Sequence, residues 1–184
     1  MTRAISISWN EISRADWDGA LAKSHAAYQQ DWAYGDVLAK KGAQIHRAAA
    51  IKDGKTVLAL AQIAVRRIGL VANLCLCTNG PVWLTDCSDA EKAGVVKAIK
   101  ANLPLNWPRL LVFTPAEDVS GEGYLKRFKR VMTGEATVQL DLTQNESEIR
   151  AQMDGKWRNR LVVAEKSDLV YVKGGVRPSQ YRWL

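Results

Sequence analysis

Polar and apolar positions alternate over residues 4–9, with Ile5, Ile7 and Trp9 on one side, the period-two pattern of a half-buried strand. Ser13 then precedes a stretch to residue 24 in which Trp17, Ala20 and Leu21 recur at helical spacing, which predicts a helix capped by Ser13. A second helix is predicted over 31–41, closed by Gly42. Residues 45–52 and 56–66 read as strands joined by Asp53-Gly54, a dipeptide suited to hairpin turns that need positive φ. A further strand, 70–77, stops at Asn79-Gly80-Pro81. Ser88, with Glu91 three residues on, opens a helix that runs to Leu103 before Pro104. Residues 109–114, 131–133 and 136–142 read as strands. One helix is predicted over 146–166, capped by Thr143 or Asn145, with Ile149, Met153, Trp157, Leu161 and Ala164 as its apolar stripe. A last strand covers 169–173. This order predicts an α+β (α/β) fold: a mostly antiparallel central sheet flanked by helices.

Composition narrows the class. At 184 residues, 47% apolar and 24% charged, the chain can bury a core of ordinary size. Its most apolar run, 56–65, ends at Arg66-Arg67, well short of the ~20 residues that span a bilayer. The first residues lack the apolar core of a signal peptide, since Trp9-Asn10-Glu11 follows at once. Three cysteines (Cys75, Cys77, Cys87) are an odd number without zinc-ligand spacing. The expectation is a cytoplasmic, reduced, metal-free protein with free thiols. Charge is concentrated at one end. From Arg150 onward eight basic residues face three acids, so this segment carries five of the seven net positive charges.

Catalytic candidates are sparse. His25 and His46 have no motif that pairs them with a nucleophile, and read as solvated or core-edge side chains. Cys75 and Cys77, two apart on a strand, face the same way and suit burial better than redox chemistry. Asp141, at a strand end, is the one acid placed for a catalytic role, and a plain surface charge fits it equally. The stretch Arg66-Arg67-Ile68-Gly69-Leu70-Val71 invites comparison with the pyrophosphate loop of acetyltransferases. That loop needs a small last residue and a helix N-terminus behind it, whereas Val71 leads into a strand, so a hairpin turn is expected. Lys156 and Arg160 share a helical face beside Trp157, which the apolar stripe would hold against a core. They form either an anion site or a solvated cationic face.

Several short motifs, taken in order, resemble one family. Gln30-Asp31-Trp32-Ala33-Tyr34-Gly35 resembles the Gln-Ser-x-x-Trp/Tyr-Gly opening of FemAB-like aminoacyltransferases, the peptidoglycan interpeptide-bridge enzymes built on the GNAT acyltransferase fold. Asp53-Gly54 with 57–67 is similar to their hairpin, and Asn79-Gly80-Pro81 to their Arg-Gly-Pro turn, with Asn79 in place of Arg. Leu140-Asp141-Leu142, then Lys156-Trp157-Arg158-Asn159 and Ala164-Glu165-Lys166, resemble their Asp-Leu and Lys-x-Arg signatures. The lysine that follows the first motif in the family has Lys40 and Lys41 as its nearest counterparts.

The resemblance implies a GNAT-like lobe over 1–143 and the truncated start of a second over 144–184. It implies transfer of an amino acid from aminoacyl-tRNA to a peptidoglycan-precursor peptide, without metal or bound cofactor. Lys156, Arg158 and Arg160 would contact phosphates or tRNA; Trp32, Tyr34, Gly80 and Pro81 would shape the cleft; Asp141 is the catalytic candidate. A truncated second lobe implies incomplete catalysis and self-association through the uncovered inter-lobe face. Two alternatives stand beside this: an N-acyltransferase using acyl-CoA, and a non-catalytic binding or assembly module.

Overall fold

The computed structural model describes residues 5–24, 26–69, 71–106, 108–117, 123–126, 128–131, 141 and 143–167. It divides into two compact units, Met1–Gly134 and Glu135–Leu184.

In the first unit the segments read as strands over 4–9, 45–52, 56–66 and 70–77 become strands. β1 (Ile5–Trp9), β2 (Gln44–Lys52), β3 (Thr56–Ile68) and β4 (Ala72–Thr78) pair antiparallel in chain order. β6 (Arg109–Thr114) then adds parallel to β4, a connection that requires a crossover, supplied by α3 (Asp89–Asn102). A two-residue strand, β5 (Val82–Trp83), pairs with β3 at Ala59 and Leu60; it is too short to leave a periodic signal in the sequence. Asp53 and Gly54 both take positive φ at the β2–β3 turn, as the dipeptide predicts. Arg66, Arg67 and Ile68 pair with Leu74, Asn73 and Ala72, so the candidate pyrophosphate loop begins in a strand that leads into another strand, not into a helix N-terminus.

Between Ala50 and Ile51 the β2–β3 register shifts by one, leaving Leu58 as an extra residue on β3. The bulge leaves Leu58 and Ala59 on the same side, and alternation beyond it lets β3 feed two cores. Leu58, Ala59, Ala61, Ile63 and Val65 pack with Cys75, Cys77, Val95 and Ile99 on the α3 side. Leu60 joins Trp17, Leu21 and Ala49 on the other side, beneath α1 (Arg14–Leu21) and α2 (Trp32–Lys40). Ser13 caps α1, and Gly42, at φ +86°, follows α2. Ser88 and Glu91 form the capping box of α3. Arg109 donates to the carbonyls of Lys100, Leu103 and Leu105 where α3 ends. The cysteines are buried free thiols; burial pushes Cys77 up to about 12, and such a thiol is a poor nucleophile at neutral pH.

The second unit corrects the sequence reading. In place of one helix over 146–166 there are two, α4 (Glu146–Gln152) and α5 (Gly155–Glu165). Asn145 and Glu148 make a capping box for α4. Met153 is extended, and the Asp154 carboxylate accepts from the Lys156 amide to start α5 at Gly155. The break destroys the phase of the expected stripe. Ile149, Met153, Leu161 and Ala164 stay half-buried, but Trp157 is 60% exposed and pins nothing. Strands expected over 131–133, 136–142 and 169–173 lie wholly or largely outside the described residues, as does His25. Among the described residues no helix is long and apolar enough to cross a membrane, and no His, Cys, Asp and Glu side chains cluster as metal ligands.

Candidate functional site

Along β3, the run from Val57 to Val65 is interrupted by one polar residue, Gln62. β2 pairs with β3 past this point, but the other edge of β3 is shared: β5 takes residues 59–60 and β4 takes 64–68. Gln62 faces the gap between them. A buried main-chain group there would cost roughly 1–3 kcal/mol if left unpaired. The gap is filled by the side chain of Gln30, from the 3-10 turn Tyr28–Gln30. Its Oε1 accepts from the Gln62 amide at 2.7 Å, and its Nε2 donates to the Thr78 carbonyl at 2.7 Å. One carboxamide thus stands where a strand would stand, joining β3 to the end of β4.

Other residues lock this amide in place. Trp17 Nε1 donates to the Gln30 carbonyl at 2.9 Å. The Gln62 carboxamide donates to the carbonyls of Gln29 and Asp31 and accepts from Arg47 Nε at 3.0 Å. Arg47 Nη2 in turn reaches the Trp32 carbonyl and the Asp36 carboxylate, while its guanidinium lies 3.6 Å above the Trp32 ring. Burial lowers the Arg47 pKa and Asp36 opposes that shift; the group stays charged.

Glycine is required twice. A Cβ on Gly35 would fall 2.2 Å from Gln62 Oε1, and one on Gly80 would fall 2.8 Å from Gln30 Nε2. Thus the Gln30–Gly35 segment and the Gly80-Pro81 turn, far apart in the chain, meet at one amide. The Gly80-Pro81 peptide is cis and both residues are buried. Trp32 packs edge-on against Trp17, and Tyr34 edge-on against Tyr28.

A second constellation follows the parallel ends of β4 and β6. Asn79, at φ +51°, donates its amide to Thr114 Oγ1 at 3.2 Å. Beyond, the Glu117 carboxylate accepts from Trp83 Nε1 and from Lys92 Nζ, each at 2.6 Å. Burial raises the Glu117 pKa, but Lys92, Trp83 and Tyr124 together outweigh it and hold the carboxyl below its usual range. Trp83 and Tyr124 meet edge to face at 5.5 Å, with the Lys92 ammonium against both rings.

In the second unit, Lys156, Arg158 and Arg160 are exposed on α5, and none makes an ion pair among the described residues. By contrast Arg150 is engaged by Glu146 and Glu165. Asp141 is exposed, and hydrogen bonds from Thr143 hold its carboxyl below the usual range. That makes it a weaker proton acceptor. Of the residues expected at a site, the fold brings the segment carrying Trp32 and Tyr34 to the Gly80-Pro81 turn through Gln30. Lys156, Arg158, Arg160 and Asp141 belong to the other unit. Gln62 and Arg47 escape the sequence reading, although a lone Gln in an apolar strand is itself a signal that a polar partner must be near.

No family model matches the chain, and comparison with curated proteins gives no match. Among solved structures, a crystal structure of FemX is similar to it, with a TM-score of 0.61 at 15% identity over 86% of this chain and 44% of that one. The chain therefore spans less than half the length of FemX and shares its fold over that part. The GNAT-like architecture expected from the motifs is the architecture found.

Proposed function

We propose that this chain is an acyltransferase lobe of the FemAB kind, acting in transfer of an amino acid from aminoacyl-tRNA to the amine of a peptidoglycan-precursor peptide. One observation carries the reading. Two motifs that resemble the family, nearly fifty residues apart, are clamped to one buried amide within a FemX-like fold. In this reading the Gly80-Pro81 turn, Trp32 and Tyr34 form one wall of the acceptor cleft. The exposed Lys156, Arg158 and Arg160 meet phosphates. Transfer to an amine needs orientation, oxyanion stabilisation and exclusion of water rather than a protein nucleophile, which agrees with three buried thiols and with a buried His46. Asp141, with its lowered pKa, is assigned no proton transfer.

The test reads binding by the chain itself. Calorimetric titration with a nucleotide-linked muropeptide and with aminoacyl-tRNA is expected to show saturable binding of both, and titration with acetyl-CoA none. Binding of acetyl-CoA alone would overturn the proposal in favour of an acyl-CoA enzyme, and failure of all three would leave an assembly module.

A further inference from the structure

On α5, Trp157 lies between two sets of cations. At 100° per residue, Lys156 and Arg160 project on one side of it and Arg158 on the other. The ring is 60% exposed, although it is the largest apolar group on the helix. Arg160 sits 5.3 Å from the ring centroid, which orients the indole at the surface. Arg158 is steadied by one hydrogen bond to the Met153 carbonyl at 3.4 Å, and the rest of its donor fork is open to a ligand. These cations, without acidic partners among the described residues, favour anions on both sides of the ring. The exposed indole between them offers its face to a second flat ring. Negative charge at intervals with planar rings between is the chemistry of an unpaired nucleic-acid strand.

We propose that Trp157 is a stacking platform for an unpaired base, and that α5 binds a single-stranded RNA segment whose flanking phosphates meet Lys156, Arg158 and Arg160. This deepens the reading of α5 above and rests on it: the cations alone would hold any phosphate, whereas the indole selects a strand with bases turned out. A duplex keeps its bases stacked inside and offers the ring nothing.

The experiment measures binding of a roughly ten-nucleotide unpaired RNA by the full chain at several salt concentrations. Trp157→Ala is expected to weaken binding roughly ten-fold and to leave the salt slope unchanged, because stacking releases no counterions. Trp157→Phe should keep most of the affinity. Lys156→Gln with Arg160→Gln should instead lower the slope by roughly one ion for each phosphate no longer neutralised. Blunt duplex RNA should bind with no dependence on Trp157. If Trp157→Ala binds the strand as well as the parent while the charge variant does not, the stacking proposal falls and the phosphate reading of α5 survives. If the parent binds no RNA, both fall. Two further results would overturn the proposal. In one, a nucleoside diphosphate binds as tightly as the strand with the same dependence on Trp157, making the ligand a small nucleotide. In the other, Trp157→Ala changes only the oligomeric state, making the ring a contact between copies.

Discussion

Among the described residues two arginines lie against tryptophan rings, and the pairs have little else in common. Arg47 lies 3.6 Å above Trp32, its Nε donates to Gln62, and its Nη2 donates to Asp36 and the Trp32 carbonyl. Arg160 lies 5.3 Å from Trp157 with solvent around it. The sequence expects Trp157 in a packed stripe, and the structure leaves that ring at the surface. The same cation–π chemistry fastens a helix to a sheet where the surroundings are dry and hydrogen-bonded. Where they are wet it leaves a surface to which something else can bind. Environment, not residue type, separates a pair that fastens the fold from a pair left at the surface.

Substitutions should therefore act very differently in the two places. The largest effect is expected at Gln30. Gln30→Leu strands the Gln62 amide and the Thr78 carbonyl, and at roughly 1–3 kcal/mol per group the loss should be about 4 kcal/mol in urea unfolding. Gly35→Ala should cost about 3 kcal/mol, because the new Cβ displaces a Gln62 carboxamide already tied on three sides. Arg47→Ala should cost about 2 kcal/mol, whereas Arg160→Ala should leave the melting temperature where it was. Equal losses from the two arginine variants would erase the distinction between the pairs.

A smaller, pH-dependent effect should also map to the first unit. His46 is 5% exposed, meets Trp9 edge-on, and neither ring nitrogen has a partner. Burial lowers its pKa below the ordinary 6.5, so the unfolded chain binds the proton more readily than the folded one. Stability should then be full above about pH 6.5 and fall as pH drops below it, by at most about 1.4 kcal/mol per unit, and His46→Phe should flatten that slope. The smallest change in stability is expected for Lys156→Gln with Arg160→Gln, which should shift RNA affinity and leave thermal unfolding unaltered.

What can be read from residues alone is whatever is decided locally. Asp53-Gly54 states its own turn, Ser88 and Glu91 their own cap, and β1 its own alternation. The bulge at Leu58 escapes because a one-residue slip is fixed by the partner strand. The break before α5 is written in Asp154-Gly155, a capping residue followed by a poor helix former, but a continuous apolar stripe outweighs it in the sequence. The motifs around Gln30 and Gly80 are visible as motifs. Their physical reason is not, since it lies in a gap in the sheet that exists only once β4 has turned away from β3.

That gap is where the account is most exposed to a single measurement. Hydrogen exchange at the Gln62 backbone amide, followed by NMR, reads directly whether the Gln30 carboxamide substitutes for a strand. In the parent protein this amide should exchange as slowly as the core amides of β3, though its acceptor is a side chain. In Gln30→Leu it should lose protection by more than the neighbouring β3 amides, beyond the drop in global stability. A Gln62 amide that exchanges freely in the parent, or that stays as protected as its neighbours in Gln30→Leu, would contradict the clamp.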